Sequence, residues 1–140
     1  MRRIPFAIIL LSCIILLSLT ACNVNKTEND VLEEIRSAPV VKLESAIQQD
    51  SQPFFVDNAG TTTSIADMRI QSSTEEFSEE WIYRFTYNPN EKVIDGHEIV
   101  VLFGLTSMGI DGTAYIPEDG VEYDTILEWA EGVYNYYMEQ

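Results

Sequence analysis

Trp81-Ile82-Tyr83-Arg84-Phe85-Thr86-Tyr87 decides the fold class of this chain. Four rings, Trp81, Tyr83, Phe85 and Tyr87, occupy alternate positions, with Ile82, Arg84 and Thr86 between them. A period of two marks a β-strand, because successive side chains of a strand point to opposite faces. The ring side is the natural one to meet a layer of helices, since the opposite side carries Arg84 and Thr86. An exposed stripe would instead form a platform for sugars or peptides.

Working outward, Asn88-Pro89-Asn90 stops this strand and Asp95-Gly96 marks a tight turn. His97 to Leu105 follows, apolar on both faces from Ile99 to Phe103, which predicts a central strand covered on both sides. Gly109 and Gly112 flank Ile110-Asp111, a turn that folds Thr113 to Ile116 back as a hairpin partner. Upstream, Ala66, Met68 and Ile70 alternate with Asp67, Arg69 and Gln71, predicting a strand with one wet face. Val31, Leu32, Ile35 and Ala38 share a helical face, with Asn29 or Asp30 as cap and Pro39 as terminator. Val40, Leu43 and Ile47 align as a second short helical segment before Pro53.

The last segment reads as a helix capped by Asp124 or Thr125, the latter at capping-box spacing from Glu128. Ile126, Leu127, Trp129, Ala130, Val133, Tyr134, Tyr137 and Met138 fill an apolar arc of about 180°, wide enough to touch two neighbours. The N-terminal helix or a partner would be the second neighbour. Helix, strands, helix in that order predicts one two-layer α+β domain over residues 30–140, with an antiparallel sheet of three or four strands packed by N-terminal and C-terminal helices.

The start of the chain carries an address. Arg2 and Arg3 precede an apolar run, Ile4 to Leu19, that ends in Leu19-Thr20-Ala21-Cys22. This is the build of a secretory signal, and the polar Asn23-Val24-Asn25-Lys26 interrupts it where a membrane span would have to continue. The four residues at its end resemble the lipobox of bacterial prolipoproteins. That resemblance implies a diacylglyceryl thioether on Cys22, cleavage after Ala21, and often a further acyl chain, such as palmitate, on the new amino group. Residues 1–21 are then a signal peptide and residues 22–29 an acylated cysteine with a polar tether, reaching up to about 25 Å. The implied location is the extracytoplasmic face of a bacterial cell membrane, and Asn23 leaves an outer membrane open in a double-membrane host. Two or more buried acyl chains hold far more firmly than one.

Removing residues 1–21 from 140 leaves 119 residues, with 6 basic against 23 acidic side chains and a formal charge of −17. A chain this acidic lacks the basic surface that nucleic acid requires, so nucleic acid is excluded as a partner. The charge also repels anionic headgroups, leaving the acyl chains as the only hold on the membrane. Cys13 leaves with the leader and Cys22 is consumed by lipid, so thiol catalysis, disulfides and thiolate metal sites are excluded.

Chemistry-bearing residues each have a plain reading beside the functional one. His97, the lone histidine, has Asp95 or Glu98 as a conceivable orienter, yet sequence neighbours on a strand point apart. Glu75-Glu76 and Glu79-Glu80 read as solvated flanks of a turn rather than a glycosidase pair. Asp111, Glu118, Asp119, Glu122 and Asp124 concentrate hard oxygen ligands without EF-hand spacing: a weak calcium site or a solvated loop. Trp129, Tyr134, Tyr136, Tyr137 and Tyr115 are the candidates for an exposed aromatic binding patch. With no nucleophile and base together, no phosphate loop and no cofactor implied, the expectation is a non-enzymatic binding module with an envelope protein partner. The alternatives are a small envelope hydrolase using carboxylates such as Glu98 and Asp111, and a ligand or cation receptor on the 111–124 loop.

Overall fold

The computed structural model of the chain describes residues 28–47, 52–58, 65 and 68–139. The leader, Cys22, the tether to residue 27 and Ala66 lie outside the described residues. The chain divides into two compact units, Met1–Val31 and Leu32–Gln140. Of the first, the described part is the opening turn of α1, Glu28–Ser37.

The elements then run β1 (Val40–Ser45), β2 (Phe54–Asp57), β3 (Ile70–Glu76), β4 (Trp81–Tyr87), β5 (Ile99–Gly104), β6 (Met108–Ile110), β7 (Thr113–Pro117) and α2 (Tyr123–Met138). The α+β class holds, but the sheet has seven strands rather than three or four, in the order β2-β1-β4-β5-β6-β7-β3 and antiparallel throughout. The additional strands come from segments whose local pattern misleads. Val40–Ser45 is a strand, not a helix: Val41 and Leu43 are fully buried beside Tyr87 and Phe85 of β4, while Lys42 and Glu44 face the other way. Val40, Leu43 and Ile47 fit a helical period, but Val41 and Leu43 fit a strand period as well, and Ile47 lies beyond the strand, 67% exposed. β2 completes the hairpin, and β3 begins at Ile70, later than the alternation from Ala66 suggests.

Both helices start earlier than their polar residues suggest. Asn29 and Asp30 lie within α1, and Asp124 and Thr125 within α2, whose N-cap is Glu122 with no side-chain capping bond. The start of α2 is held instead by Tyr123, whose hydroxyl donates to the Gly104 carbonyl at 2.7 Å. Asp124 still sits in the first turn, where negative charge meets the positive end of the helix dipole. Ser37 ends α1, with Pro39 two residues beyond.

Strand register divides the sheet into two faces. One carries Val41, Leu43, Tyr83, Phe85, Tyr87, Ile99, Val101, Phe103, Met108, Ile110 and Tyr115, all buried. Helix α2 packs on this face: Tyr134 meets Phe54 and Tyr83 at ring-centroid distances of 5.2 and 5.5 Å, and Trp129 meets Phe85 and Phe103 at 6.0 and 6.2 Å. Tyr83, Phe85 and Tyr87 of β4 therefore face the helix layer, whereas Trp81, beyond a register shift, is half-buried with its ring against Arg84 of the far face. The Asp111-Gly112 turn, with φ of 49° and 88°, is the two-residue hairpin connection that right-handed strand twist favours, and it pairs Ile110 with Thr113.

The far face carries Lys42, Glu44, Arg84, Thr86, Val100, Leu102, Gly109, Ala114 and Ile116. Two segments cross it. The loop 88–98 reaches back to β1 and β2, where Glu91 pairs with Lys42 at 2.8 Å and the Lys92 ammonium lies 4.9 Å from the Phe55 ring centroid. The second is a four-residue strap, 77–80, joining β3 to β4. These strands run parallel with β5, β6 and β7 between them, so the strap must travel the length of β6, which is only three residues long. At one end Phe77 N–H donates to the Gly112 carbonyl at 2.9 Å. At the other, Glu79 engages the β5–β6 turn. Glycines lie where the strap passes: a Cβ at Gly109 would stand 2.6 Å from Phe77 Cβ and Cγ, and one at Gly104 3.1 Å from Glu79.

Candidate functional site

Glu79 is the most organised polar centre among the described residues, and sequence reasoning read it as a solvated turn flank. Its carboxylate accepts from Thr106 N–H and Thr106 Oγ1, each at 2.9 Å, and from Ser107 Oγ in a short contact. These bonds, Ser107 first, hold its pKa below the ordinary glutamate value against a smaller opposing effect of burial. A carboxylate held low is a weak base, so the Ser107 hydroxyl beside it is not activated as a nucleophile. The group works as a staple closing the β5–β6 turn and fixing the strap. Tyr123, alongside, has its phenol pKa raised by burial and then by the charges of Glu79 and Asp124. No local motif marks this cluster, because 28 residues separate Glu79 from Ser107.

A ladder of charges crosses the far face. Glu44 receives Arg84 through two guanidinium nitrogens, one at 3.2 Å and one at 2.5 Å, and Lys42 lies 3.8 Å from the same carboxylate. The Arg84 guanidinium also stacks 4.7 Å from the Trp81 ring centroid. Arg36 pairs with Glu33 at 3.4 Å and Arg69 with Glu118 at 3.3 Å. Every described Lys and Arg is thus occupied within the chain: four by carboxylates and Lys92 by the Phe55 ring.

The five aromatic candidates separate. Tyr134 is 1% exposed and Tyr115 is 5%, so neither belongs to an exposed patch. For Tyr115 the reason is register: pairing across the Asp111-Gly112 turn sets it beside Met108 on the helix-side face. Trp129 is half-buried on Phe85 and Phe103, and Tyr137 is half-buried with its ring edge-on to Tyr136. Tyr136 alone is broadly exposed, at 60%.

The remaining carboxylates and His97 are spread over several loops. Glu98 accepts from Asn90 N–H at 2.8 Å, Asp111 accepts from Val100 N–H at 2.9 Å, and His97 lies 3.3 Å from Glu34 of α1. Glu118 is tied to Arg69, Asp119 stands in the following turn and Glu122 occupies the N-cap position of α2 without a side-chain bond to it. Among the described residues no three His, Cys, Asp or Glu side chains converge to hold a metal ion. Among them, too, no helix is long and apolar enough to cross a membrane.

The solvent side of α2 is acidic. Asp124, Glu128, Glu131 and Glu139 are exposed along it, none in an ion pair, with Gly132 between them and Tyr136 and Met138 on its flanks. Compared with protein-family models, curated proteins and solved structures, the chain finds no match in any of the three.

Proposed function

We propose that this chain is a bacterial lipoprotein, acylated at Cys22, that displays a non-enzymatic binding domain on the extracytoplasmic face of its membrane and engages an envelope protein through the solvent side of α2. The observation that carries the reading is Leu19-Thr20-Ala21-Cys22 at the end of an apolar run. The binding half is supported by the exposed Tyr136 and unpaired acids of α2, and by polar clusters whose bonds close turns.

Feeding cells an alkyne-tagged fatty acid should label the wild-type protein and not Cys22→Ser, and external protease should digest the domain where the enclosing membrane is opened to it. Unlabelled wild-type protein removes the lipoprotein reading. Crosslinking in intact cells should recover one partner in near-equal amount and lose it in Tyr136→Ser. Equal recovery from both proteins places the contact elsewhere.

A further inference from the structure

Gly132 sits inside a sixteen-residue helix at an exposed position, where glycine costs about 1 kcal/mol relative to alanine. Nothing among the described residues requires it. A Cβ built there meets no atom within 4 Å, and the residue is helical, so neither crowding nor a left-handed conformation excludes a side chain. Glu128, Gly132 and Tyr136 are spaced by four residues and lie along one line of the helix. The missing side chain leaves a notch in that line, with the exposed Tyr136 ring on one side and Glu128 on the other. Glu139, seven residues on, falls on the same side of the helix, while Glu131 lies about 100° round from Gly132 and neighbours Glu128 at i,i+3 spacing.

An unfilled notch bordered by a ring and carboxylates fits a side chain with an apolar stem and a cationic head. The described residues do not supply one: each described Lys and Arg is already held by a carboxylate or by Phe55. Building on the binding reading above, we infer that the outward face of α2 docks a basic segment of a partner protein, one Lys or Arg stem lying over Gly132 against Tyr136 with its charge toward Glu128 and Glu131. The occupant is cationic because the surface is acidic, and it comes close to the helix because Gly132 exposes the backbone. Such a contact is steered by long-range attraction and weakens with salt.

The test uses the full-length gene product in non-ionic detergent and a helical probe of about 15 residues built from leucine, alanine and lysine, with a counterpart carrying glutamate at each lysine position. Wild type should bind the lysine peptide and not the glutamate peptide. Gly132→Leu should weaken binding about tenfold, which corresponds to about 1.4 kcal/mol, while leaving Tm unchanged or higher, because leucine is the better helix former. Glu128→Gln with Glu131→Gln should weaken binding and flatten its dependence on salt. Equal affinity for Gly132→Leu and wild type would overturn the notch, and equal binding of both peptides, or of neither, would overturn the cationic partner. Cys22→Ser protein should bind as wild type does, so a failure here is distinct from a failure of acylation.

Discussion

Replacing Gly109 by alanine tests whether the strap organises the far face of the sheet. The new Cβ would lie 2.6 Å from Phe77 Cβ and Cγ and 3.0 Å from Cδ2, against an optimal carbon separation of about 3.5 to 4.0 Å. Roughly 1 Å must be found, and the strap is poorly placed to yield it. Phe77 N–H is bonded to Gly112 at one end and Glu79 holds Thr106 and Ser107 at the other. Overpacking of this kind costs about 1 to 3 kcal/mol, offset by about 0.5 to 1 kcal/mol because alanine has less backbone freedom to lose. The net loss is about 1 to 2 kcal/mol. With unfolding entropy of about 2.1 cal/mol/K per residue over the compact unit Leu32–Gln140, Tm should fall by about 4 to 9 °C. The assay is thermal and urea unfolding of wild type, Gly109→Ala, Phe77→Gly and the double variant. Phe77→Gly removes all three contacting atoms, so Gly109→Ala should be neutral or slightly stabilising in that background, giving a coupling energy of about 1 to 3 kcal/mol. If Gly109→Ala costs the same with and without Phe77, the strap does not cover Gly109 and the account of β6 fails.

Two further perturbations follow from the core and the strap. The Tyr87 hydroxyl is fully buried, has no hydrogen-bond partner among the described residues, and has its pKa raised by burial. Tyr87→Phe should therefore leave stability unchanged or raise it by about 1 to 3 kcal/mol, read by urea unfolding; a clear loss would show that the hydroxyl is bonded. Glu79 has a lowered folded pKa, so its contribution is complete above the unfolded glutamate value of about 4.3 and is lost as pH falls through the lower folded value. Between pH 6 and about pH 3 wild type should lose more stability than Glu79→Gln. Parallel curves for the two would mean that Thr106 and Ser107 do not hold an ionised carboxylate.

Much of the local structure is written in short-range pattern. The rings at 83, 85 and 87 announce both a strand and its buried side, since period and polarity agree there, while the register shift that carries Trp81 against Arg84 leaves no mark in the alternation. Val40–Ser45 is different: its residues satisfy a helical and a strand period at once, and only pairing with β4, which sets Val41 against Tyr87 and Leu43 against Phe85, chooses between them. The exposure of Tyr136 is legible from a helical wheel. The burial of Tyr115 is not, because it depends on the register of a hairpin against β6. Glu79 and Gly132 escaped the sequence reading for opposite reasons: the first gains its role from partners distant in the chain, and the second is notable only once nothing is found beside it.

By itself the sequence determined what depends on neighbours a few residues apart or on totals: the acidic balance of 23 Asp and Glu against 8 Lys and Arg, the β4 period, a hairpin turn between Gly109 and Gly112 and the end of α1 before Pro39. The tertiary structure decided what depends on distant segments meeting: seven strands instead of three or four, the strap over β6 with its glycines, the internal pairing of the described basic residues, and which tyrosine faces solvent. The division is physical. Dihedral preference and side-chain period act within one turn or one strand, whereas register, close approach and ion pairing exist only between segments that folding has brought together.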